Sequence, residues 1–86
     1  MQMTSVPRLA PGCRLHPTAE ILLIPEGTLN LSGPSRDILD RVDGHRAVSG
    51  IVDDLLLHFE GASREEIGED VLSLLNRMQQ RGVVRA

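Results

Sequence analysis

The sequence predicts an α+β fold: a three-stranded antiparallel sheet at the N-terminal end, followed by three α-helices. Three observations carry this. The stretch ILLIPEGTLNL, Ile21 to Leu31, is two short apolar runs broken at Pro25-Glu26-Gly27, which is a hairpin signature. After Leu31 the hydrophobic period changes from two to 3.6 and keeps that spacing as far as Arg81. Breaks at Asp43-Gly44-His45 and Glu60-Gly61-Ala62 divide this second half into three helices.

Residues 1–12 contain Pro7, Pro11 and Gly12 among few apolar residues and are expected to form a flexible N-terminal arm. Residues 13–86 are then one domain. Cys13–His16 is expected as the first strand, with Arg14 and His16 facing one way and Leu15 the other. Pro17 and Thr18 turn the chain into the hairpin. Its first run, Ile21–Ile24, is β-branched or leucine throughout, whereas the second alternates. Leu29 and Leu31 take one face, Thr28 and Asn30 the other. Unless something pairs with its far side, this last strand is an open sheet edge.

The first helix is expected over about 33–43, with Ser32 as N-cap, Pro34 in the first turn and Gly44 at the C-terminal break. Ile38, Leu39 and Val42 are its buried stripe. The second, about 48–59, has the clearest periodicity: Val48, Ile51, Val52, Leu55, Leu56 and Phe59 fall on one face. Ser63-Arg64-Glu65-Glu66 is a capping box that opens the third and longest helix, which runs to about Arg81. Ile67, Val71, Leu74 and Met78 form its main stripe, with Leu75 at the shoulder. Gly82 ends it, and Val83–Arg85 are extended.

Composition narrows the function. A chain of 86 residues buries only roughly 60–65% of its unfolded surface, and Phe59 is its one aromatic residue. Leu, Ile and Val must therefore make the core. All nine basic residues are arginine, and the net charge of −3 argues against a dedicated nucleic-acid binder. No run reaches signal-peptide or membrane-span character, so a cytoplasmic location is expected. Cys13 is alone, which excludes an intrachain disulfide and a cysteine metal site. His16, His45 and His58 sit in three different elements without metal-ligand spacing. Asp53-Asp54 and Glu65-Glu66 are adjacent on helices, so each pair points about 100° apart and fits a solvated face. There is no phosphate-binding glycine loop. No catalytic residue, metal or cofactor is expected.

Binding remains. A strand-rich start and three helices, with a tight break between the second and third, are compatible with a winged-helix-like domain. As a DNA reader it would use the third helix, whose first half carries Glu65, Glu66, Glu69 and Asp70 against Arg64. That half would repel phosphates, so a small winged-helix DNA-binding regulator is the alternative and not the leading reading. On the same helix Gly68, Leu72, Leu75 and Gln79 make a line at i, i+4, i+7 and i+11. Either Leu72 and Leu75 widen the buried face, or the line walls an apolar trough beside the open hairpin edge. Such a trough suits an extended peptide added as a further strand. The open edge could equally be covered in a homodimer.

The segments LLIPEG followed by LNL, ILDRVDG, the IVDDL stripe and EDVLSLLNRMQQRGVV together resemble the PqqD family, pyrroloquinoline quinone synthesis protein D. PRLAPGCRL near the start is similar to that family's N-terminal pattern. The resemblance spans about residues 7–84. It implies a peptide chaperone of the RiPP recognition element class, not an enzyme, with a winged-helix-like fold. It implies binding of the ribosomal precursor peptide PqqA and its presentation to the radical SAM enzyme PqqE. That enzyme crosslinks a Glu and a Tyr of the peptide; its iron–sulfur chemistry has no ligands here. In related elements the leader peptide pairs with the third strand of the sheet and lies against the third helix. Carried over, the expected site is Thr28, Leu29, Asn30 and Leu31, with Gly68, Leu72, Leu75 and Gln79 from the helical line. A monomer or weak homodimer without membrane or nucleic-acid contacts is expected.

Overall fold

The computed structural model describes residues 1–86, in the order β1 (Arg8–Leu9), β2 (Arg14–Leu15), β3 (Ile21–Ile24), β4 (Gly27–Asn30), α1 (Ser35–Leu39), α2 (Val48–His58), α3 (Arg64–Gln80), β5 (Val84–Arg85). It is a small α+β fold with three helices and two antiparallel sheets. The larger sheet has strand order β2-β3-β4. Its hairpin closes at Ile24 opposite Gly27, across Pro25-Glu26. Gly27 takes φ of +146°, a backbone that side chains rarely adopt.

The smaller sheet joins the two ends of the chain, β1 to β5, with Leu9 opposite Val84. It corrects the expectation of an arm over residues 1–12, because that segment is laid against the body of the domain. Pro7 is fully buried, and Ala10 is buried with its N–H bonded to the Val83 carbonyl at 2.8 Å. The carbonyls of Ser5 and Met3 accept the N–H groups of Val48 and Ser49, each at 2.9 Å. Those two amides open α2, whose N-cap residue is Ala47 and has no side-chain cap. The first turn of a helix leaves its amides without intrahelical partners. Here the N-terminal segment supplies the acceptors that a Ser or Asp cap would otherwise provide. The domain accordingly begins before residue 13.

The other helix ends obey local rules. The Ser63 hydroxyl accepts the Glu66 N–H at 3.1 Å and caps α3. At its far end the Val83 N–H bonds the Met78 carbonyl at 3.0 Å, and the Gly82 N–H bonds the Gln79 carbonyl at 3.0 Å. With Gly82 at φ +76° this is a Schellman stop, and it turns the chain into β5. Helix α1 is shorter than expected. Ser32 does not cap it; the Ser35 N–H reaches the Ser32 carbonyl in a turn, and Pro34 takes the N-cap position. After Leu39 the bonds tighten to three-residue spacing, Arg41 to Ile38 and Val42 to Leu39.

One cluster of 15 buried residues forms the core, running from Leu22 and Leu31 through all three helices to Val83 and Val84. No helix is long and apolar enough to cross a membrane. Ion pairs brace the helices from outside: Arg41 and Arg46 share Asp54, and Arg64 pairs with Asp53.

Candidate functional site

The open edge can be defined atom by atom. In an antiparallel ladder, alternate residues turn their N–H and C=O towards the partner strand. The Leu31 N–H bonds the Glu20 carbonyl at 2.9 Å, just beyond the β3–β4 ladder. Stepping back by two, Leu29 and Gly27 also bond β3. Thr28 and Asn30 are left with their N–H and C=O groups directed away from it. The other side of β3 agrees, since the Ile21 carbonyl accepts the His16 N–H from β2 at 2.9 Å. β4 has no neighbour beyond it. Two residues thus present two donors and two acceptors, which a further strand could pair with.

Beside this edge runs α3. Leu29 and Asn30 border a recess with Arg77, Met78 and Arg81. The recess continues past Asn30 and Leu31 to Ser32–Ser35 and the α3 side chains of Asp70, Ser73 and Leu74, enclosing about 380 Å³. At its far end Pro34, Ile38 and Asp70 also line a mainly apolar pocket of about 160 Å³, completed by Leu55, Phe59, Ala62, Ile67 and Val71. β4 and α3 therefore flank one groove, with the Leu29 end of the strand near Arg81 and the Leu31 end near Asp70.

The expected site residues are only partly brought together. Thr28 and Asn30 are exposed, Leu29 is half-buried and Leu31 buried; Leu29, Asn30 and Leu31 line the groove, and Thr28 lies just beyond it on the same edge. The helical line is elsewhere. Nine residues at about 100° each separate Gly68 from Arg77 and place them on opposite sides of α3. Gly68 and Leu72 border a shallow surface with Met3, Arg64, Glu65 and Glu69. The N-terminal amine bonds the Asn76 side chain at 2.7 Å on the same half of the helix. Leu75 is fully buried in the core, which corrects its expected place in the trough. Gln79 is exposed but lines none of these recesses. The helical residues beside β4 are Asp70, Ser73, Leu74, Arg77, Met78 and Arg81, of which periodicity had marked Leu74 and Met78 as stripe and none as site. Met1 and Met3 were the available signal that the chain covers the opposite flank itself.

Charge distinguishes the groove as well. Neither Arg77 nor Arg81 makes an ion pair, whereas Arg41, Arg46 and Arg64 do. The two carboxylates with displaced pKa values lie outside the groove. Asp54 is lowered chiefly by the hydrogen bond from Arg41. Asp43 is lowered chiefly by the backbone N–H of His45, with a second from Arg46, each at 2.9 Å. His16 serves locally: its Nδ1 accepts the Thr18 and Ala19 amides at 3.1 and 3.0 Å. No group of three His, Cys, Asp or Glu side chains is placed to hold a metal ion.

The profile of the family described as coenzyme PQQ synthesis protein D (PqqD) matches residues 20–84. A protein of Stutzerimonas stutzeri described as PqqA binding protein is 35% identical over 79 residues, covering 87% of this chain and 84% of that one. The PqqA binding protein of Pseudomonas fluorescens is 33% identical over 72 residues, covering 79% of this chain and 77% of its own. Among solved structures, the PqqD truncation of Methylobacterium extorquens PqqCD superposes with a TM-score of 0.83 at 31% identity, over 99% of this chain and 94% of that one. It was determined by NMR in solution and is described as a functional, stand-alone RiPP recognition element. The chain belongs to the PqqD family.

Proposed function

We propose that this protein is the PqqA-recognition element of pyrroloquinoline quinone biosynthesis. It binds an extended segment of the precursor peptide as a fourth strand on β4 and presents it to the radical SAM enzyme PqqE. The observation that carries this reading is the row of outward N–H and C=O groups at Thr28 and Asn30, beside a groove with an apolar floor. Main-chain pairing of this kind supplies affinity, while the side-chain recesses along α3 supply register. The names of the relatives, PqqA binding proteins, point the same way. The peptide site is Thr28 to Leu31 on the strand, with Leu74, Arg77, Met78 and Arg81 on the helix.

In this reading the chain holds and delivers, and PqqE performs the chemistry. The arrangement of hairpin and α3 supports a winged-helix-like description in which the third helix faces a peptide. Its first half, with Glu65, Glu66, Glu69 and Asp70, suits DNA poorly. The protein acts in the cytoplasm, where precursor peptides are synthesised, as a monomer whose open edge is kept for the peptide.

Titration of the ¹⁵N-labelled protein with synthetic PqqA tests the site. Amide shifts are expected at Thr28 and Asn30 and along 70–81. Shifts confined to the Gly68–Leu72 flank, or elsewhere, would overturn the assignment. Co-elution of the protein, PqqA and PqqE, lost when PqqA is omitted or strengthened by it, checks the presentation step; indifference of PqqE to the protein would refute it.

A further inference from the structure

We propose that Arg77 and Arg81 are specificity-determining residues that read carboxylates in the bound peptide. The segment they select has the pattern apolar-x-acidic-x-acidic. This rests on the strand-addition reading above and goes beyond it by naming the side chains selected.

The charges come first. Four of the nine arginines are committed inside the domain: Arg36 donates to the Ala19 carbonyl, Arg41 and Arg46 engage Asp54, and Arg64 engages Asp53. Arg77 and Arg81 are exposed, their guanidinium groups make no hydrogen bond or ion pair, and both border the recess at Leu29 and Asn30. On a chain of net charge −3, two uncompensated guanidinium groups side by side make a local anion-selecting patch.

Spacing comes next. Arg77 and Arg81 are one turn apart, so they project about 6 Å from each other along the axis. Same-face side chains of an extended strand, at i and i+2, are about 6.6 Å apart. Two carboxylates in such a strand can therefore meet the two guanidinium groups in register. The strand would hydrogen-bond through Thr28 and Asn30. Its side chain opposite Leu29 then faces the recess of Arg77 and Arg81, and the one opposite Gly27 lies on the same face, one repeat further along the strand. Two residues in the other direction, the side chain opposite Leu31 enters the recess where Leu74, Ile38 and Pro34 supply apolar surface between Arg77 and Asp70, which favours an apolar group. Asp70 at that end disfavours a third carboxylate. Antiparallel addition, the more stable pairing, runs the peptide from the Leu31 end to the Gly27 end. The apolar residue is accordingly N-terminal to the acidic pair.

The test uses the full chain, synthetic PqqA, and a PqqA in which every Asp and Glu is replaced by Asn or Gln. Affinity is expected to fall about tenfold with the neutral peptide, as for loss of two solvent-exposed ion pairs. The double variant Arg77→Gln/Arg81→Gln should show the same fall with the natural peptide. It should show no further fall with the neutral one, while keeping the parent's unfolding midpoint. The difference should shrink as salt rises. Equal affinity for both peptides, or a loss in the variant that ignores peptide charge, overturns the proposal and leaves strand addition standing. Binding of neither peptide overturns both.

Discussion

The two sides of α3 have opposite fates. On one side, Gly68 and Leu72 meet Met3, and Asn76 takes the N-terminal amine, so the chain completes that flank with its own first residues. On the other, Leu74, Arg77, Met78 and Arg81 stand beside a strand edge that nothing in the fold pairs with. Both sides carry apolar and polar residues in similar proportion. What separates them is whether backbone hydrogen bonds remain to be made. The N-terminal segment spends its carbonyls on the first turn of α2, whereas Thr28 and Asn30 keep theirs. A surface is available for a partner when its main chain is unfinished, and apolar area alone does not reveal this.

The largest expected effect lies on the core face of α3, between its two sides. Leu75→Asp buries a charge where the side chain is fully enclosed, and its cost exceeds the roughly 5 kcal/mol that a small domain has in reserve. Circular dichroism should show an unfolded chain; a folded variant with weakened peptide binding would return Leu75 to the site. Removing residues 1–6 is milder. Two backbone hydrogen bonds, to Val48 and Ser49, and the bond of the N-terminal amine to Asn76 are lost, or about 3 kcal/mol together. The unfolding midpoint should fall and those two amides should exchange faster, while affinity for PqqA stays within about twofold, because the lost contacts lie at the first turn of α2 and on the Gly68–Leu72 flank, away from the groove.

Proline on β4 sharpens the contrast to single atoms. Asn30→Pro removes an amide that faces away from β3 and leaves the internal ladder intact. Peptide affinity should drop about tenfold, near 1.4 kcal/mol, with little change in folding. Leu29→Pro removes a bond to β3 and should act the other way round, lowering stability first. Equal behaviour of the two variants in calorimetry and unfolding would show that the alternation has been assigned in the wrong register.

Legibility follows the same division. The hairpin, the second helix and the capping box at Ser63 are readable because each depends on residues close in sequence: a period of two, a period of 3.6, a hydroxyl three residues from an amide. The covering of the first turn of α2 was not readable, since Ala47 is a poor cap and the acceptors at Met3 and Ser5 are more than forty residues away. The β1–β5 pairing joins opposite ends of the chain and leaves only a two-residue trace in each. Thr28–Leu31 could be located from alternation alone. The flank of α3 beside it could not, because periodicity defines a buried stripe with two borders and is silent on which one the hairpin meets. The line through Gly68 follows the border away from β4.

Gly68 yields the next smaller effect and corrects a reading of its own. An interior helical glycine suggests room left for something, yet a Cβ placed there meets only the Met3 methyl, at 4.0 Å. That is ordinary contact. Gly68→Ala should raise stability by about 0.5–1 kcal/mol, the difference in helix propensity, and leave peptide affinity unchanged. A weakened affinity in titration would restore this flank to the site.

The smallest effect separates committed from free arginines. The Arg41 guanidinium holds the Asp54 carboxyl below its ordinary value of 3.8. A depressed folded-state pKa adds stability that is present above the unfolded value and lost as pH falls through the folded one. The parent should therefore lose stability below about pH 4, and Asp54→Asn should flatten that limb in acid unfolding curves. The partly exposed pair keeps the change small. Peptide affinity at neutral pH should be indifferent to Asp54→Asn, since the arginines it releases, Arg41 and Arg46, lie outside the groove. If affinity for PqqA rose instead, charge anywhere on the surface would suffice, and the placement of Arg77 and Arg81 against β4 would lose its significance.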